Sequence, residues 1–166
     1  MDHTTITATS ATLQALFEGT ITNAPEQGLA GLPIELRSPR AVRLDGDGLG
    51  LSVWLYRVEA ASDRRTVMSA PGAAQRGDGL ALELHYLLTP FAATPEDEQT
   101  VLARVLETLR DDPVLAGDQL FGGLTGEVRL SLEALTLEES LRLFTALQEP
   151  YRAAVALLAR PRPLDA

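Results

Sequence analysis

Cysteine and lysine are both missing from this 166-residue chain, and only two histidines and one tryptophan are present. Without cysteine there is no disulfide framework, no thiol nucleophile and no cysteine-ligated metal. That leaves the compartment open and fits a cytoplasmic origin. The histidines are His3, close to a terminus, and His85, so neither a metal nor a cofactor is expected. All 14 basic residues are arginines, set against 23 carboxylates, for a net charge of −9. Nucleic-acid binding needs a basic face, and anionic membrane surfaces attract basic clusters, so neither partner is expected. The apolar run Ala153–Ala159 is too short to span a bilayer. The opening MDHTTITATS lacks the basic start and apolar centre of a signal peptide, so a soluble chain without a targeting segment is expected.

The chain is organised around Leu80–Thr89. Leu80, Leu82, Leu84, Tyr86 and Leu88 alternate with Ala81, Glu83, His85, Leu87 and Thr89, which predicts a strand that breaks at Pro90. Upstream, Ile6, Ser10, Leu13 and Phe17 predict a helix over Thr7–Glu18, stopped by Gly19. Residues 32–37 predict a short strand ending at Ser38-Pro39. Asp45–Gly48 has the alternating Asp and Gly of a calcium loop but no closing carboxylate set, and reads as a hairpin turn. The strand that follows divides into Leu51, Val53, Leu55 and Arg57 on one face and Ser52, Trp54, Tyr56 and Val58 on the other. Residues 61–79 form a long connection with Pro71, several glycines and charges.

Thr94-Pro95-Glu96-Asp97 opens the best-specified helix, with Thr94 as cap and Pro95 in the first turn. Its apolar stripe is Val101, Leu102, Val105, Leu106 and Leu109, and Pro113 ends it. Residues 115–126 are glycine-rich and read as irregular, with Phe121 in need of a pocket or a partner. Glu127–Glu133 predicts a strand with Val128, Leu130 and Leu132 inward. Thr136–Glu139 is a capping box for a helix with Leu137, Leu141, Phe144 and Leu147 on one face. Tyr151–Ala159 reads as a final strand and 160–166 as an extended tail. Together these predict one domain over residues 1–166, of the α/β (α+β) class. Its sheet is mixed and mostly antiparallel, covered by about three helices.

The search for chemistry is mostly negative. No Ser–His–Asp set has supporting context, and a lone histidine on a strand reads as a satisfied or surface residue. Asp111-Asp112 and Glu138-Glu139 sit at helix ends. No catalytic, cofactor or metal residue is assigned. The doubled cation Arg64-Arg65 reads either as a solvated loop or as a contact with an acidic neighbour. Arg64, Arg65 and Phe121 are therefore the candidate assembly residues.

One family does match in order and spacing. Leu55-Tyr56-Arg57, the run Leu84-His85-Tyr86-Leu87-Leu88-Thr89, and the helix Leu137–Leu147 followed by Tyr151-Arg152 resemble a single domain. It is the domain that opens the tube-cap proteins of extracellular contractile injection systems, phage-tail-like particles related in role to phage tail terminators. The first helix also resembles that family's, whereas 61–79 lacks an asparagine shortly before its arginines and the final segment stops early. The resemblance implies a non-enzymatic structural protein with a tail-terminator-like fold. It further implies a homo-hexameric ring that caps the inner tube, touches the inner tube protein and the last sheath ring, and assembles in the cytoplasm before joining the particle. The alternative is a small-molecule-binding or hydrolytic α/β domain with 61–79 as a lid.

Overall fold

The computed structural model describes residues 3–60 and 81–162. The sheet expected from alternation is present and has six strands. They are β1 (Ile34–Glu35), β2 (Gly50–Ala60), β3 (Leu82–Phe91), β4 (Val114–Ala116), β5 (Glu127–Glu133) and β6 (Val155–Arg162). Their spatial order is β1-β2-β3-β6-β5-β4. Among the described residues only β1 and β2 pair in parallel, so the sheet is mixed and mostly antiparallel, as expected. Four α-helices accompany it: α1 (Thr5–Phe17), α2 (Pro39–Leu44), α3 (Pro95–Asp111) and α4 (Leu137–Ala146).

Cross-strand registers sort the side chains onto two faces. One face carries Val53, Leu55, Leu84, Tyr86, Leu88, Leu157, Ala159, Val128 and Leu130. It packs with Leu13 and Phe17 of α1 and Val101, Val105 and Leu109 of α3 into the main core. Tyr86 is fully buried there, yet its hydroxyl meets Ser10 Oγ at 2.8 Å, which satisfies the one polar atom it brings inside. Ser10 thus lies within α1, on the side that faces β3. The other face carries Trp54, Arg57, Glu59, Glu83, His85, Leu87 and Glu133.

Several expectations need correction. Gly19 does not stop α1; the chain continues as a π-turn over Glu18–Thr22, because Ile21 is drawn fully into the core. Ser38-Pro39 does not merely end a strand. The Ser38 hydroxyl accepts from the Ala41 N–H and Pro39 takes the first helical position, so the dipeptide starts α2. The Asp45–Gly48 turn is therefore not a hairpin: it joins α2 to β2 and completes a short parallel β1–α2–β2 unit. Its Asp47 carboxylate accepts from the Leu49 N–H at 3.0 Å, the work of an ordinary Asx turn.

β3 does not break at Pro90 but runs to Phe91. Pairing with β6 ends at Leu88, so Pro90 has a strand on one side only. Its carbonyl points to the open side, where Arg152 Nη1 donates to it at 3.4 Å, and the missing N–H costs nothing there. β6 likewise continues through Pro161 to Arg162, where only β5 remains as a neighbour, so residues 160–162 are paired strand. A β-bulge between Leu55 and Arg57 shifts the face of everything beyond it. Arg57 consequently pairs with His85 instead of sharing a face with Leu55.

Two helices are less buried than their patterns suggest. On α3 the buried residues are Val101, Val105, Thr108 and Leu109, whereas Leu106 is 43% exposed. The stripe follows the 101, 105, 108 line, and Leu106 is turned about 100° away from Val105. On α4 only Phe144 is buried, while Leu137 and Leu141 are 63% and 43% exposed. Leu132, expected inward, lies at the open end of β5 and is exposed. Residues 115–126 are not wholly irregular: Leu115 is fully buried as part of β4, and a 3-10 turn follows over Gly117–Gln119.

Candidate functional site

The sequence-derived candidates separate in the structure. Arg64 and Arg65, with the whole 61–79 connection, lie outside the described residues. Phe121 is 48% exposed, and its backbone N–H donates to Thr12 Oγ1 at 3.0 Å. It borders an open depression of about 240 Å³ together with Leu16, Gly19, Leu115 and Gln119. The hydrogen bond fixes the backbone and leaves the ring presented at the surface.

A second apolar surface was not anticipated. Leu137, Leu141 and Tyr151 stand exposed around α4. Beside them is an open depression of about 360 Å³, lined by Leu87, Glu133, Leu137, Ser140, Tyr151 and Ala156. Thr136 and Glu139 make the expected reciprocal capping box at the start of α4. At its other end, Gln148 N–H donates to Thr145 and Glu149 N–H to Phe144, a Schellman closure. The closure needs a left-handed residue, and Gln148 supplies it at φ 55° in place of glycine.

Helix α2 holds that end in place. Arg43 grips the buried Glu149 carboxylate through Nε at 2.6 Å and Nη2 at 2.7 Å. Arg40 Nη1 donates to the Gln148 carbonyl at 2.9 Å. The Arg43 hydrogen bonds hold the Glu149 carboxyl below its ordinary value. Next, Arg152 bonds Glu98 at 2.8 Å and lies 4.4 Å over the Phe91 ring, which anchors the approach to β6 against β3 and α3. α4 and its flanks are thus a fixed platform with an apolar surface left open.

On the same sheet face lies a polar cluster. His85 is only 3% exposed, and its Nδ1 is 2.9 Å from Glu133 Oε2. Tyr56 donates to the same oxygen at 3.0 Å. Burial first, and then the Glu133 charge, push the Tyr56 phenol well above its usual range. Glu59 and Glu83 are direct cross-strand partners beside His85. Arg57 binds Glu59, whose carboxyl is lowered chiefly by that hydrogen bond, and Arg160 Nε binds Glu83 at 2.7 Å. A strand histidine gave no sign of this cluster in the sequence. The bulge after Leu55 is what brings Arg57 and Glu59 to its face.

No curated protein sequence matches the chain. Solved structures that share its fold include two from contractile injection systems. One is the sheath/tube terminator, in the extended state, of the extracellular contractile injection system PVC. The match has a TM-score of 0.63 at 15% identity and covers 100% of this chain and 59% of that one. The other is the tube-terminating cap of the anti-feeding prophage. Here the TM-score is 0.59 at 16% identity, with 95% of this chain and 55% of that one covered. This chain therefore spans under three fifths of the length of either neighbour. The sequence profile of the Pvc16 N-terminal domain matches residues 8–166, and the chain belongs to that family.

Proposed function

We propose that this chain is a structural, non-enzymatic cap that ends the inner tube of a contractile injection system and touches the last sheath ring. The observation that carries the reading is the fold match over the entire chain to a sheath/tube terminator, joined to the family match over 8–166. The single domain over residues 1–166 forms a ring of identical copies, in our reading a hexamer, because a cap on a symmetric tube needs closed symmetry. It assembles in the cytoplasm and then becomes part of the particle. A closed ring uses two different surfaces on each protomer. The exposed Phe121 depression and the Leu137, Leu141 and Tyr151 surface are two such surfaces. Arg64 and Arg65 are proposed to meet acidic groups of a neighbour. The lid-covered enzyme is the weaker reading, since both structural neighbours are named as terminators or caps.

The test is the mass of the purified chain by light scattering, alone and with the tube and sheath proteins of a contractile injection system. A closed oligomer that retains tube protein supports the cap. A monomer that binds neither protein rejects it. Arg64→Glu/Arg65→Glu and, separately, Phe121→Ser should then lower particle yield or alter tube length without changing the circular dichroism of the chain.

A further inference from the structure

We infer that Glu59, Glu83 and His85 form a binding site for a divalent transition-series cation, with Zn²⁺ as the representative ion. One ligand atom from each of these residues lies within 4.8 Å of the other two. Clustered carboxylates alone are common on surfaces. The second observation is His85 itself: a ring 97% buried whose Nε2 has no hydrogen-bond partner. That nitrogen lies 3.2 Å from Glu59 Oε2, but without the alignment of a hydrogen bond. A buried imidazole nitrogen left unpaired is costly unless something binds it.

The surroundings fit an ion. Glu133 holds Nδ1, which directs Nε2 toward Glu59 and Glu83, the arrangement that supports metal-bound histidines. Glu59 and Glu83 face each other directly across β2 and β3, and like charges in that position repel. Arg57 and Arg160 each engage Oε1 of their carboxylate and orient it from outside. Ligands about one tetrahedral Zn²⁺ sit roughly 3.3 Å apart, so side-chain rotation of less than about 2 Å closes the triangle. A nitrogen ligand together with carboxylates favours Zn²⁺, Mn²⁺ or Fe²⁺ over Mg²⁺ and Ca²⁺. The ion clamps the ends of β2 and β3 together on the thinly covered face of the sheet.

The test is calorimetric titration of the chelator-treated chain with ZnCl₂, followed in parallel by the imidazole ¹⁵N resonances of His85. One equivalent binds, Nε2 shifts, and the melting temperature rises with Zn²⁺. Glu83→Gln and Glu59→Gln, both at the edge of the cluster, fold normally and lose most of the binding. Glu133→Gln weakens it by about 10- to 100-fold. His3→Ala leaves binding unchanged. Absence of heat and of any Nε2 shift in the presence of Zn²⁺ overturns the site. Undiminished binding in both carboxylate variants, or an equal response to Mg²⁺, overturns it too. If His85→Gln fails to fold, the two carboxylate variants decide.

Discussion

The two faces of the sheet are built on opposite terms. Toward α1 and α3 the packing is dry at its centre: Leu84, Tyr86, Leu88 and Leu157 are fully buried among Leu13, Phe17, Val101 and Val105. Toward α2 and α4 the cover is thin. There the sheet carries His85, Glu59, Glu83 and Glu133, and α4 leaves Leu137 and Leu141 open to solvent. One face holds the main core, and the other, among the described residues, is more polar and leaves α4 side chains exposed. The arginine clamps at Glu149 and Phe91 show how the thin face keeps its shape without a large core.

The largest expected effect separates two neighbours on α3. Val105→Asp places an unpaired charge in the fully buried core and should cost upwards of about 3 kcal/mol, or abolish folding. Leu106→Asp, at a 43% exposed position, should stay within about 0.5 kcal/mol of the parent. Thermal and urea unfolding of the two variants measures the difference. Equal losses would mean that α3 does not present the side described here.

The clamp on the thin face should matter less. Glu149→Ala removes the buried partner of Arg43. A fully buried pair broken in this way costs roughly 3–5 kcal/mol. Because the Arg43 side chain is 40% exposed, about 2 kcal/mol is expected. The pair also sets a pH dependence. The folded-state Glu149 carboxyl is lowered, so its contribution is present above the ordinary value of about 4.3 and is lost as pH falls through the folded value. Urea midpoints between pH 3 and pH 6 should therefore fall more steeply on acidification in the parent than in Glu149→Gln. Parallel curves would remove the clamp from the account.

The smallest effect has the opposite sign. Gln148 holds a left-handed φ of 55° to close α4, a conformation that glycine adopts without steric cost. Gln148→Gly should be neutral or stabilising by up to about 1 kcal/mol. A clear loss of stability would show that the Gln148 side chain has a role of its own.

Much of the dry face was legible because one periodicity governed it. The alternation in 80–89 and the caps at Thr94 and Thr136 are local signals: both helices start where their caps point, and β3 follows the alternation but runs past Pro90 to Phe91. The thin face was hard to read because its features depend on distant residues. A bulge has no period of its own, so Arg57 was placed on the wrong face. Pro90 and Pro161 are tolerated because a neighbouring strand ends beside them, a fact about β6 and β3 rather than about either proline. Leu137 and Leu141 have the spacing of a core stripe, and spacing cannot tell a buried stripe from one awaiting a partner. The histidine cluster joins residues far apart in sequence, 59, 83, 85 and 133, through strand register alone.

If the proposed cap role holds, the thin face and its rims meet the end of a tube. Electron microscopy of gold-labelled chain mixed with preformed tubes of an inner-tube protein from a contractile injection system tests this most directly. Label is expected at one end of each tube, lost in Leu137→Asp/Leu141→Asp although that variant stays folded. Label along the tube walls, label absent from the ends, or end-labelling unchanged in the double variant would contradict it.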